Sequence, residues 1–136
     1  MTVQLAVESV SSLERNTQHL GDLQKKRVEN GDTRPVFGIF VAETIPKTVI
    51  GHLITLARFN NQRAKGPIRI TPMRRELFEL FMESALQHPN FSHRVLRNFF
   101  ESVFSLKTLS MGELDWMIDI EIKINRFADL HEYAAA

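Results

Sequence analysis

Cysteine is absent from this 136-residue chain, so disulfides and thiolate metal ligation are excluded. Such a chain fits a reducing compartment, and a cytoplasmic location is the expectation. Charge of one sign is also missing. Lys and Arg number 17 against 16 Asp and Glu, a formal net charge of +1, so no global field announces a polyanionic partner. Anion binding then has to come from local patches. Glycine is sparse, and no GxxxxGK[ST] phosphate loop occurs. There is no GxSxG turn to anchor a hydrolase triad and no HExxH metal pair. No apolar run approaches the roughly 18 residues of a membrane span, and no basic-then-apolar leader opens the chain. Neither membrane association nor a signal peptide is expected.

What is present is an ordinary globular composition, 43% hydrophobic, enough for one domain with a core. "VQLAV" near the start alternates and reads as a strand. "LERNTQHLGDLQKKRVEN" carries Leu13, Leu20, Leu23 and Val28 on a helical stripe, with Ser11 and Ser12 as caps. Gly21 inside it predicts a kink or a close contact. After the turn cluster "NGDTRP", the segment Val36 to Ala42 is apolar on both faces, as a doubly covered central strand requires. Phe37, Ile39 and Val41 are expected on one face, with Val36, Phe40 and Ala42 on the other.

A helix capped by Thr44, with Pro46 in its first turn, follows. "IRIT" is a short strand, and Pro72 is expected to open the next helix. Another helix is capped by Ser92. The segment from Ser110 to Leu130 fits both periods. Helix is favoured because Ser110-Met-Gly-Glu113 has the form of a capping box. The order is strand, helix, strand, helix, strand, helix, helix, helix, in one domain spanning 1–136. Residues 1–72 form the sheet core with crossover helices, and 73–133 a helical tail.

The chemistry converges on Glu8, a lone carboxylate at the end of the first strand. It is either decoration on a solvated edge or a metal ligand. Hard Mg²⁺ takes carboxylate oxygens, often one or two completed by water and substrate phosphate. The five histidines are scattered, and a lone helical His such as His52 reads as an ordinary residue.

Four segments in order carry a family resemblance: "LAVESVSS", "RNTQHLGDLQKKR", "RPVFGIFVAETI" and "IRITPMRRELFELF". The closing "VLRNFFESVF" and "GELDWMIDIEIKI" extend it to nearly the whole chain. Together they resemble the nuclease domain of the AlwI-like type IIS restriction and nicking endonucleases, a branch of the PD-(D/E)XK superfamily. The resemblance implies an α/β fold with a three-layer core, a central mixed sheet flanked by helices, and a C-terminal helical appendage. It implies Mg²⁺-dependent hydrolysis of phosphodiester bonds in double-stranded DNA, with Glu8 as the catalytic metal ligand. Ser9, Gln18 and His19 would sit behind it or touch phosphate.

The chain also departs from the pattern. No acidic strand precedes Glu8, and Val10 holds the place where such nucleases often carry lysine. The resemblance therefore implies the C-terminal part of the nuclease domain, with its N-terminal strands missing and no activity as given. The alternative is a non-catalytic DNA-binding or assembly module with the same fold. Lys25, Lys26, Arg27, Arg74 and Arg75 are candidate DNA-backbone contacts, with Arg63 and Lys65 in a loop. A solvated face explains such clusters as well. Recognition of a DNA sequence would fall to a separate domain or subunit, and a homodimer is compatible with this reading.

Overall fold

A computed structural model describes the backbone of residues 2–7, 10–62, 64–87 and 93–135, and the side chains of 13–62, 64–87 and 93–129. Three strands, β1 (Thr2–Val7), β2 (Val36–Ala42) and β3 (Arg69–Arg74), form a sheet in the order β1-β2-β3. Both pairings are parallel, with Val7 beside Val41 and Ala42 beside Arg74. Parallel neighbours cannot be joined by a tight turn, because the chain must return to the starting edge. Two helices make that return: α1 (Val10–Glu29) and α2 (Lys47–Arg58). The remaining elements are α3 (Arg75–Gln87), α4 (His93–Val103), the single turn α5 (Leu106–Leu109) and α6 (Glu113–Ala135).

The fold is thus α/β and mostly helical, in the expected order with one extra turn, α5. The sheet itself differs from expectation. It is purely parallel among the described residues, not mixed, because every link between its strands is a helical crossover.

β2 has the expected boundaries and is buried from Val36 to Val41. On one face, the Phe37 ring stacks on Phe100 and Phe104 at centroid distances of 5.5 and 6.0 Å. The other face meets Leu13 and Leu20 of α1 around Gly38 and Phe40. Burial on both sides explains why this segment shows no polar alternation. α1 runs without a break through Gly21. A Cβ there would lie 3.4 Å from the Ala64 Cβ, so the glycine serves close packing and not a kink.

Several expected boundaries move. Pro72 does not open a helix; it lies inside β3, opposite Phe40. β3 is an edge strand, and a residue without N–H is tolerated there. Pro46, not Thr44, occupies the N-cap of α2, and no side chain caps that end. Ser110 does not cap α6. It ends α5, where its hydroxyl donates to the Lys107 carbonyl at 2.7 Å. Gly112 instead supplies the carbonyl that accepts from the Trp116 N–H at the start of α6. The side chains of Ser11 and Ser12, and residue Ser92, lie outside the described residues.

The C-terminal helices close the core through aromatics. Phe81 of α3 packs on Phe99 and Phe100 of α4 and on Phe127 of α6, at centroid distances of 4.9 to 5.6 Å. Trp116 is fully buried, and its indole N–H donates to the Val103 carbonyl at 3.0 Å. The Thr108 hydroxyl donates to the same oxygen at 2.8 Å. One carbonyl at the end of α4 is thereby tied to α5 and α6, which satisfies a backbone acceptor that the helix cannot. No described helix is long and apolar enough to cross a membrane.

Ile39→Asp places a charge against the covered face of β2, among the apolar side chains of the core. It is expected to lower unfolding free energy by roughly 3–5 kcal/mol in urea denaturation. Wild-type stability in that variant would contradict the doubly covered strand.

Candidate functional site

Parallel strands send all their C-termini to one edge of a sheet. In doubly wound sheets ligands bind beyond that edge where the strand order reverses; the order β1-β2-β3 has no reversal among the described strands, so strand direction alone marks the edge here. The chain leaves β1 after Val7 toward Glu8 and Ser9, which lie outside the described residues. It leaves β2 directly into Glu43 and β3 directly into Arg75. Arg75 Nε lies 3.1 Å from Glu43 Oε1, and Arg74 Nη2 lies 3.8 Å from Glu121 Oε2 of α6. All four side chains are about half exposed or more, so these pairs are each worth about 0–1 kcal/mol and give way readily.

Glu43 was not among the residues singled out from the sequence. Its signal was there, since it follows the strongest strand as Glu8 follows the first. Among the described residues, no group of three His, Asp or Glu side chains converges on a point.

The other expected site residues separate. α1 carries the chain away from the C-terminal edge at about 1.5 Å per residue. Gln18 and His19 are exposed on it, roughly 12–14 Å beyond its first residue, so the helix does not bring them to the strand end. Lys25, Lys26 and Arg27 close α1, roughly 22–26 Å from its start. They therefore stand at the opposite edge of the sheet from Arg74 and Arg75. The two basic clusters, both candidate phosphate contacts from the sequence, do not form one patch. Arg63 lies outside the described residues.

At that opposite edge the turn after α1 is held by charge. Gly31, at φ 77°, ends the helix in the left-handed region, and the Asp32 N–H donates to the Arg27 carbonyl at 2.8 Å. The Asp32 carboxylate then accepts a fork from Arg34, with Nε to Oδ1 at 3.0 Å and Nη2 to Oδ2 at 2.8 Å. It also accepts the Arg34 backbone N–H at 3.1 Å. Arg27 Nη1 stands 3.8 Å away on the other side. The Arg34 side-chain bonds and then its backbone N–H hold the Asp32 carboxyl well below the usual carboxylate range.

No protein-family model matches this chain, and no curated protein matches it.

Because the Asp32 carboxyl is depressed in the fold, the unfolded chain binds its proton first. Its stabilising contribution is full above the ordinary carboxylate range and is lost as pH falls through and below that range. Between about pH 6 and pH 3, Asp32→Asn should therefore lose less stability than wild type in thermal melts. The effect is modest, since the pair is open to solvent. Equal acid sensitivity in the two proteins would contradict the assigned interaction.

Proposed function

We propose that this chain is the C-terminal portion of the nuclease domain of a Mg²⁺-dependent type II restriction or nicking endonuclease. Its substrate is the phosphodiester backbone of double-stranded DNA, and by itself it binds DNA without cutting it. The observation that carries this reading is the parallel β1-α1-β2 unit. It ends β1 at Val7, beside Val41, at the edge where Glu43, Arg74 and Arg75 stand. The restriction-endonuclease-like three-layer core belongs to the same proposal.

The donors at this edge are carboxylate oxygens, which suit a hard dication. Glu8 would hold Mg²⁺, with Glu43 as the nearest described carboxylate by position along the strands. A bound dication supplies Lewis-acid polarisation of the phosphate and a more acidic water. The chain's own part is to orient the phosphate. Arg74 and Arg75 can exchange their exposed carboxylate partners for phosphate oxygens, which accept from guanidinium in the same forked geometry. Val10 opens α1 and carries no amine, so it cannot take the role of lysine. This supports binding without cleavage.

The second reading is a non-catalytic DNA-binding or assembly module on the same fold. It is favoured by the pairing of Arg75 with Glu43 and Arg74 with Glu121, a balanced surface that needs no metal.

A plasmid-nicking assay beside a DNA titration tests this. No nicking is expected with Mg²⁺ or Mn²⁺. Mg²⁺ alone at millimolar concentration should leave the melting temperature nearly unchanged, because one carboxylate holds a hydrated dication weakly. With DNA present, phosphate completes the ligand set, so Ca²⁺ should tighten binding severalfold in wild type and not in Glu8→Gln. Binding that Ca²⁺ leaves unchanged in both proteins would favour the second reading. Nicking abolished by Glu8→Gln would refute binding without cleavage.

A further inference from the structure

The edge where β2 and β3 begin gathers cations from separate parts of the chain. Arg27 at the end of α1, Arg34 before β2, Lys65 before β3 and Arg69 at the start of β3 line one cleft together with Asp32. A second, wider cavity lies between Arg34 and the first turns of α4, with His93, Arg94 and Arg97 on its wall. Arg34 lines both, so the two clefts adjoin at its side chain and are taken together as one groove. This groove is not the edge discussed above; α1 separates them by its length.

The cations here are unevenly satisfied. Arg34 is gripped by Asp32, Arg97 by Glu101 at 2.9 Å and Lys65 by Glu29 at 3.5 Å. Arg27 Nη1 is shut off from solvent without a hydrogen bond. Arg69 is half-buried and its side chain has no hydrogen bond or ion pair among the described residues; burial pushes its pKa down, and the Glu101 carboxylate partly restores it. A guanidinium in that position gains from an incoming anion more than an exposed one does, because its own solvation is already reduced.

We propose that this groove binds the phosphodiester backbone of duplex DNA, with neighbouring phosphates seated in the two clefts on either side of Arg34. A polyanion fits better than a lone anion, since two adjoining cavities share one guanidinium fork. Asp32 competes with the phosphates for Arg34 and Arg27. The choice of duplex DNA as the polyanion rests on the proposed function; the placement does not, since the groove contains none of the residues assigned to metal binding.

The test is fluorescence anisotropy of a short labelled duplex at several salt concentrations, without dications. Arg94→Gln and Arg69→Gln should each weaken binding about three- to tenfold and lower the steepness of the log–log salt dependence by about one. Lys107→Gln, on α5 outside both clefts, should change neither. Asp32→Asn should tighten binding more than Glu76→Gln, which makes the same charge change on α3. Melting curves report folding, and Arg94, exposed on the first turn of α4, carries the test if Arg69→Gln unfolds.

Arg94→Gln indistinguishable from Lys107→Gln would overturn the proposal. So would displacement of DNA by inorganic phosphate at matched ionic strength, the mark of a single-anion pocket, or preference for phosphatidylserine vesicles over the duplex. Glu8→Gln should bind as wild type under these conditions, which separates failure of the groove from failure of the nuclease reading.

Discussion

Everything in this molecule depends on burying β2 from both sides. A strand with no polar face must have cover above and below and a neighbour on each flank. Parallel pairing to both flanks then forces helical crossovers, and crossovers sort the chain by direction. All strand ends come to one edge and all strand starts to the other. The distribution of charge follows from this sorting. Glu43, Arg74 and Arg75 leave the ends of strands, while Arg34 and Arg69 precede or begin them.

The cover on the Phe37 face is built late in the sequence. It consists of stacked rings from α3, α4 and α6, and it is fixed in register by polar bonds at the end of α4. The Val103 carbonyl accepts from both Trp116 and Thr108, and the Lys123 ammonium donates to the Ser102 carbonyl at 2.7 Å while standing 2.6 Å from Asp119. Each bond takes up a helix-end carbonyl that would otherwise be stranded beside apolar side chains. Aromatic packing supplies the area, and these few bonds choose one arrangement of it. The same arrangement sets α4 with its first turn facing Arg34, so the packing of the core also shapes the basic groove.

Much of the fold was legible in the sequence because periodicity is strong where burial is strong. The span of β2, the crossover helices and the helical form of α6 all followed from apolar spacing. Boundaries failed where a local rule met tertiary context. Pro72 is a helix-opening residue by preference, but an edge strand absorbs it without losing a ladder bond it could have made. Ser110 matched a capping box, yet the short turn α5 claims it. The site was less legible. The sequence named Lys25–Arg27 and Arg74–Arg75 as backbone contacts without relating their positions, and α1 carries the first group to the edge opposite the second. The groove joins Arg27, Arg34, Arg69 and Arg94, whose separation in sequence carries no local signal. The crossover topology brings the first three together, and the aromatic packing of α4 adds Arg94.

The central proposal is that the two edges divide the work, with a dication and its phosphate held at the strand ends and the neighbouring DNA backbone gripped at the strand starts. Fe²⁺ takes the oxygen donors that Mg²⁺ takes, and with hydrogen peroxide as oxidant and ascorbate to return Fe³⁺ to Fe²⁺ it generates hydroxyl radicals that cut the polypeptide nearest to it. In the DNA complex, iron-directed cleavage should fall just after β1 and β2, around residues 8 and 43, and should disappear when Mg²⁺ is added in excess. Cleavage centred on the Arg27–Arg34 turn, or spread evenly along the chain, would contradict the account.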